Sequence, residues 1–222
     1  ASLDAQIAAL TRNRIPYLEI RNADGENIAN MSNARAGEIR KKLDAAGIQV
    51  WSLGSPYGKI SMEDDFEPHL ELFRRGLEKA GILGSRYIRL FSFFIPEGKK
   101  PEDYRNAVLE RLYRFCEAAK GSGITLCHEN EKAIYGDVAV RCLDIHREIP
   151  ELRAVFDPAN FIQCGQDTKE AWEMLKPYVT YMHVKDAQAD GFVVPAGAGI
   201  GEVPYLLSQY QGTVLTVEPH LT

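Results

Sequence analysis

Four side chains of metal-ligand type end or follow four consecutive apolar runs in the second half of the chain. They are Glu129 in ITLCHE, Asp157 in LRAVFD, His183 in VTYMHVKD and Glu218 in GTVLTVE. Successive members are separated by roughly one strand-plus-helix unit, about 30 residues. Because parallel strands of a closed sheet end at one face, this spacing predicts that the four groups converge. Two Glu, one Asp and one His around a point form an oxygen- and nitrogen-donor site for a divalent metal.

The elements that must position these groups alternate regularly along the chain. The predicted strands are PYLEIR, IQVWSL, SRYIRLFSFF and the four runs above, with helix-like segments between them. This alternation predicts an α/β fold with parallel strands, a (β/α)8 TIM barrel whose first strand and last helix are absent from the sequence. A seven-stranded open sheet is the alternative. No Pro- or Gly-rich linker divides the chain, so residues 1–222 are predicted to form a single domain.

Side-chain alternation along the strands adds candidates for the same barrel mouth. Lys185 shares a strand face with His183, and Glu19 lies on the inward face of PYLEIR. Further candidates for lining the pocket are Arg89, Lys59 and His220.

Each group also has a structural interpretation. Asp157 stands before Pro158, where it fits a helix cap, and His183 fits a hydrogen-bonded core histidine. Four such groups at unit spacing make chance a poor explanation, because converging carboxylates repel one another without a cation. Lys185 offsets part of that repulsion, which leaves a metal-free site open.

Composition narrows the function classes. The formal net charge is −5, and no basic stripe is visible, so we expect no nucleic-acid partner. No apolar run approaches the length of a membrane span, and the first residues lack the pattern of a signal peptide. The four cysteines are scattered without a C-x-x-C pair, which is typical of reduced thiols and predicts a cytoplasmic location.

Several strings resemble the sugar phosphate isomerase/epimerase family of the xylose isomerase-like TIM barrels. They are HENEKAIYGD, FDPANF, HVKDA and VEPHL, with GSPYGKI and RLFSFF in the first half. The resemblance implies a divalent metal held by Glu129, Asp157, His183 and Glu218, with the two glutamates also acting as the acid/base pair. The sequence departs from the family at Asn160, where several members carry His. Asn160 joins Lys185, Arg89, Lys59 and Glu19 as a predicted substrate-binding residue.

The predicted activity is metal-dependent isomerisation or epimerisation of a ketose, keto-sugar or related polyol through an enediolate. Mn²⁺ or Mg²⁺ is the predicted cofactor, with Co²⁺ and Zn²⁺ as alternatives. The same constellation also serves a dehydratase or lyase, and the sequence does not separate these reactions. An abasic-site endonuclease and a non-enzymatic binding barrel are weaker alternatives. The predicted partner is a small-molecule sugar, and homo-oligomer formation stays open.

Overall fold

The computed structural model describes residues 1–218, which form a nearly closed barrel of parallel strands with helices outside it. The strands are Tyr17–Ile20 (β1), Gln49–Gly54 (β2), Tyr87–Leu90 (β3), Thr125–Glu129 (β4), Arg153–Phe156 (β5), Val179–Val184 (β6) and Leu215–Val217 (β7). They follow one another in the sheet in chain order, and each neighbouring pair is parallel. The predicted α/β barrel is therefore confirmed.

Helices connect the strands on the outside of the sheet. They are Leu3–Arg12 (α1), Asn33–Ala45 (α2), Phe66–Leu83 (α3), Pro101–Ala119 (α4), Ala139–Glu148 (α5), Pro158–Gln163 (α6), Thr168–Leu175 (α7) and Val203–Gln209 (α8). Side-chain caps start several of them: the Ser32 hydroxyl accepts from the backbone N–H of Arg35 at the start of α2. Within residues 1–218, none of the helices combines the length and the apolar character that a membrane crossing requires.

Two elements differ from the sequence prediction. The strand predicted over SRYIRLFSFF ends at Leu90, because the following backbone turns toward the loop after β2. There the N–H of Phe91 donates to the carbonyl of Tyr57, and Phe93 adopts a left-handed φ of 64°. The short helix α6 was not predicted as a separate element. Its signal was Asp157–Pro158, a capping residue followed by the residue type favoured at the first helical position.

Side-chain alternation divides the barrel interior into two layers. The lower layer is aromatic: the Trp51 ring contacts those of Tyr17, Tyr87 and Tyr181, with centroids 5.6, 4.7 and 6.2 Å apart. Two positions further along β1, β3 and β6, nearer the carboxyl ends, lie the polar residues Glu19, Arg89 and His183. Outside the sheet, apolar residues such as Phe73 and Phe115 fill the space between strands and helices and are completely buried. The aromatic layer closes the bottom of the barrel, so polar chemistry is confined to its mouth.

Candidate metal centre

Four consecutive strands each deliver one of the predicted ligand groups to the mouth. Glu129 is the last residue of β4, Asp157 follows β5, His183 lies near the end of β6, and Glu218 follows β7. One donor atom from each lies within 4.8 Å of the others. Glu129, Asp157 and His183 are buried, and Glu218 is partly buried. The structure thus brings together the four groups whose spacing predicted convergence.

The imidazole of His183 lies at the centre of the cluster. Its Nδ1 is 3.0 Å from Oε2 of Glu218, 3.1 Å from Oε1 of Glu129 and 3.7 Å from Oδ2 of Asp157. By geometry, Nδ1 makes no hydrogen bond to these oxygens. Burial alone lowers the pKa of His183, but Glu129 and Glu19 outweigh it and raise the pKa well above its usual value. This position in the cluster therefore favours positive charge.

The two oxygens of Asp157 have different tasks. Oδ1 accepts a hydrogen bond of 3.0 Å from the backbone N–H of Asn160, which makes Asp157 the N-cap of α6. Oδ2 faces His183 and the ammonium group of Lys185, which is 3.3 Å away. The cap therefore uses one oxygen of Asp157, and the other oxygen faces the centre, where the predicted ligand role would need it.

Glu129 is held from two sides. Arg89 Nη1 donates to its Oε2 at 2.8 Å, and Asn160 Nδ2 donates to its Oε1 at 3.2 Å. Burial raises the pKa of Glu129, but the charges of His183 and Arg89 outweigh it and lower the pKa to about 2. Glu129 is consequently ionised at neutral pH, as a metal ligand requires.

Lys185 and Asn160 form a second line of contacts around the cluster. Lys185 Nζ donates to Oδ1 of Asn160 at 2.9 Å, in addition to its contact with Asp157. The amide group of Asn160 also donates to the backbone carbonyl of Asn130 at 2.9 Å. Burial lowers the pKa of Lys185, but the charge of Asp157 outweighs it, so the pKa is raised and the side chain stays cationic.

A cavity of about 640 Å³ adjoins the cluster and is lined by Glu19, Arg89, His183, Thr216 and Glu218 among others. Lys59 lies nearby on the loop after β2, where its Nζ is 2.9 Å from Glu131 and 4.2 Å from the centre of the Phe91 ring. The other predicted pocket residue, His220, lies outside the described residues. A cavity of about 700 Å³ between the end of α4 and the start of β4 contains none of the ligand groups.

Sequence reasoning missed several residues that support the centre. The side-chain amide of Asn130 pairs with the backbone of Asp157 in both directions, at 2.9 and 3.0 Å. The Tyr181 hydroxyl donates to Glu19 at 3.0 Å. Asp186, fully buried, accepts the backbone N–H groups of Gly197, Gly199 and Gly201 and so folds the glycine-rich loop before α8. The position of Asn130 next to Glu129 was the one signal available for these contacts.

The donor set fits a divalent cation. Among residues 1–218, the carboxylates of this cluster are Glu19, Glu129, Asp157 and Glu218, and the basic side chains that pair with them are Arg89, Lys185 and the half-exposed Arg21. With a neutral imidazole the carboxylates outnumber these basic groups, so a cation at the centre reduces their mutual repulsion. The Nδ1 of His183 is buried, faces three carboxylates and makes no hydrogen bond within the described part of the chain. A cation at this point satisfies all four groups at once.

Comparison with known proteins is consistent with this fold. Residues 15–220 match the family model described as xylose isomerase-like TIM barrel. No curated protein sequence matches the chain significantly.

Solved structures with the same fold include three with informative names. The probable 3-DHS dehydratase AsbF of Bacillus anthracis has a TM-score of 0.81 and 16% identity, over 98% of this chain and 87% of its own. A xylose isomerase-like TIM barrel protein of Mycobacterium smegmatis in complex with magnesium has a TM-score of 0.76 and 17% identity, over 100% and 84%. D-psicose 3-epimerase of Clostridium cellulolyticum H10 with D-tagatose has a TM-score of 0.73 and 14% identity, over 100% and 81%.

Proposed function

We infer the function from two facts: the chain belongs to the xylose isomerase-like TIM barrel family, and its four ligand-type groups lie within 4.8 Å of one another. We propose that the protein is a divalent-metal-dependent isomerase or epimerase of a ketose, keto-sugar or related polyol. The convergence of Glu129, Asp157, His183 and Glu218 is the observation that carries the proposal. A sugar epimerase and a magnesium complex among proteins of the same fold support it.

The two glutamates are the proposed proton carriers. Moving a proton next to a carbonyl group needs one carboxylate that removes it and another group that returns it. Glu129 ends β4 and Glu218 follows β7, and their carboxylate oxygens lie 3.1 and 3.0 Å from Nδ1 of His183. In the proposed reaction they act on opposite faces of the substrate. A bound divalent cation supplies electrostatic stabilisation of the negative charge that develops on the substrate oxygens. Asp157 and His183 serve only as ligands.

The remaining polar residues of the mouth are proposed to orient the substrate. Lys185 keeps its positive charge beside the ligands, and Arg89 lines the cavity next to Glu129. Lys59 and Asn160 complete the set. The ammonium and guanidinium groups donate hydrogen bonds, which suits the hydroxyl and carbonyl oxygens of a sugar. The amide group of Asn160 already donates to Glu129 and to the backbone of Asn130, so Asn160 would act on the substrate through Glu129.

The proposed cofactor is Mn²⁺ or Mg²⁺. Three carboxylates and one imidazole form an oxygen-rich donor set, which hard cations prefer. Zn²⁺ and Co²⁺ are the alternatives, and titration of metal-free protein with each ion ranks them. We further propose a small-molecule sugar or keto-sugar as the partner, a cytoplasmic location and no nucleic-acid partner.

The test is exchange of substrate hydrogen with solvent. The purified protein is freed of metal with a chelator, reloaded with Mn²⁺ and incubated in D₂O with neutral ketoses, including D-tagatose, D-psicose and D-fructose. We expect deuterium at the carbon next to the carbonyl group, detected by NMR, and loss of incorporation in Glu129→Gln and Glu218→Gln. The control is Glu67→Gln, which removes an exposed carboxylate paired with Arg114 on the outside of the barrel. Full exchange in either site variant, or in chelated protein, contradicts the proposal.

A dehydratase is the second candidate. The same fold is found in AsbF, a probable 3-DHS dehydratase, with a TM-score of 0.81. Removal of a proton next to a carbonyl followed by loss of a β-hydroxyl uses the same carboxylates, with Lys185 placed beside Asp157 to protonate the leaving oxygen. The same reaction panel separates the two activities. Loss of water from a β-hydroxy ketone, seen as an enone absorbance, identifies a lyase, whereas deuterium incorporation into an intact sugar identifies an isomerase or epimerase.

A further inference from the structure

Glu19 lies on β1, on the far side of the barrel from β4 and β5, yet its carboxylate reaches the central imidazole. Oε2 of Glu19 is 3.0 Å from Nε2 of His183. Glu19 is not one of the four converging ligand groups. We propose that Glu19 is a positioning residue that fixes the tautomer and orientation of His183 and thereby tightens binding of the metal. This inference rests on the proposed function, because it assumes that a cation occupies the centre.

The tautomer follows from the chemistry of the two partners. An ionised carboxylate only accepts hydrogen bonds, so the hydrogen of the Glu19–His183 contact must be on Nε2. In a neutral imidazole with a hydrogen on Nε2, Nδ1 carries the lone pair. That lone pair faces oxygens of Glu129, Asp157 and Glu218, all of which are acceptors too. When a divalent cation displaces any proton from Nδ1, this lone pair and the three carboxylates can share it at the same point.

Glu19 is itself held rigidly. Its Oε2 accepts a second hydrogen bond of 2.9 Å from the hydroxyl of Thr216, and its Oε1 accepts one of 3.0 Å from the hydroxyl of Tyr181. The Tyr181 hydroxyl is in turn 3.1 Å from the hydroxyl of Ser52. The Glu19 side chain is only 5% exposed. Side chains of β6 and β7 therefore hold the carboxylate directly, which leaves His183 little freedom to rotate away from the proposed metal position.

The expected effect of Glu19 is on metal affinity. A carboxylate that accepts the second N–H of a ligating histidine orients the ring and makes the ligating nitrogen more basic. Loss of such a partner typically weakens metal binding by about 10- to 100-fold. The sequence placed Glu19 among the substrate-binding candidates; its contacts favour this role through His183 instead.

The first experiment measures the dissociation constant of Mn²⁺ by isothermal titration of metal-free protein. We expect about 10-fold weaker binding for Glu19→Gln, which keeps the shape but removes the charge, and up to about 100-fold weaker binding for Glu19→Ala. Tyr181→Phe removes one of the hydroxyls that hold Glu19 and should weaken binding by a smaller factor. Glu67→Gln, an exposed charge change on α3, should leave the dissociation constant unchanged. Thermal unfolding checks that each variant is folded.

The second experiment needs no variant. In the Co²⁺-loaded wild-type protein, the Nε2–H of the ligating histidine should give one paramagnetically shifted proton NMR signal. Because this hydrogen is buried against Glu19, it should exchange slowly with solvent. Its signal should therefore be present in H₂O and be lost gradually after transfer to D₂O. A folded Glu19→Gln should shift this signal.

The outcomes separate the two proposals. Tight Mn²⁺ binding by the wild type, with unchanged affinity in folded Glu19→Gln and Glu19→Ala, overturns the role of Glu19 alone. A Co²⁺ spectrum without an exchangeable shifted signal does the same. Absence of any Mn²⁺ or Co²⁺ binding to the wild type overturns the proposed metal-dependent function together with this inference.

Discussion

Replacement of Arg89 by methionine should strongly destabilise the metal-free protein. Arg89 is 6% exposed, and its Nη1 lies 2.8 Å from Oε2 of Glu129. Its Nε is 3.9 Å from Oε1 of Glu19. At an effective dielectric constant near 20, the attraction between unit charges at the first distance is about 6 kcal/mol, part of which is offset by the desolvation of Arg89.

Methionine fills much of the same volume but removes the guanidinium from Glu129 and Glu19 and leaves His183 as their remaining basic neighbour. Removal of one partner of a buried ion pair typically costs about 3–5 kcal/mol, and we expect Arg89→Met to fall in that range. The assay is urea denaturation at neutral pH in the presence of a chelator, followed by circular dichroism. The matched control is Arg105→Met, which breaks the partly exposed ion pairs with Asp144 and Glu148 on the outside of the barrel and should cost about 1 kcal/mol or less. A loss below about 1 kcal/mol for Arg89→Met would refute this reasoning.

Three further predictions concern the surroundings of the centre. Asp186→Ala removes the acceptor of several backbone N–H groups in residues 197–201, so hydrogen exchange there should rise at least about tenfold; unchanged protection contradicts the anchoring role. Gly58→Ala should cost about 2 kcal/mol or more in urea denaturation, because Gly58 has a φ of 86° and an added Cβ meets the carbonyl oxygen of Phe91 at 1.9 Å; wild-type stability contradicts this fit. Burial lowers the pKa of His128 from 6.5 to about 3, so the unfolded chain binds the extra proton and stability is lost as the pH falls below about 6.5. His128→Gln should therefore flatten the stability profile between about pH 6 and pH 4 by about 1.4 kcal/mol per pH unit, and an unchanged slope rules out a neutral buried imidazole.

The order and type of the main elements could be predicted because each strand is a short apolar run and the long helices between them are amphipathic. In α2 local signals also mark the ends: the Ser32 side chain accepts from the backbone N–H of Arg35, and Gly47, with a φ of 70°, follows the last turn. The helix α6 was missed because its six residues are too few to show a period. The end of β3 was missed because a tertiary contact determines it: the backbone N–H of Phe91 donates to the carbonyl of Tyr57 in the loop after β2. A sequence pattern within one segment does not show such a contact.

The convergence of the four predicted ligand groups could be expected for a similar reason: a polar group at the end of an apolar run is visible in one segment. The partnership of Glu19 with His183 joins residues 164 positions apart and appears only when the barrel brings β1 opposite β6. Arg89 was expected to line the pocket, and it does, but its pairing with Glu129 depends on side-chain conformations that no sequence pattern specifies. Polar groups at the ends of strands can therefore be predicted from the sequence, whereas contacts across the barrel can be identified only from the three-dimensional structure.

The most direct measurement is anomalous diffraction from a crystal of the protein soaked in Mn²⁺. We predict one peak at the barrel mouth, within about 2.4 Å of a donor atom from each of Glu129, Asp157, His183 and Glu218, with Nδ1 as the donor of His183. A soaked crystal with no peak among these groups, or with Mn²⁺ bound elsewhere while the four side chains keep their positions, would contradict the shared cation site.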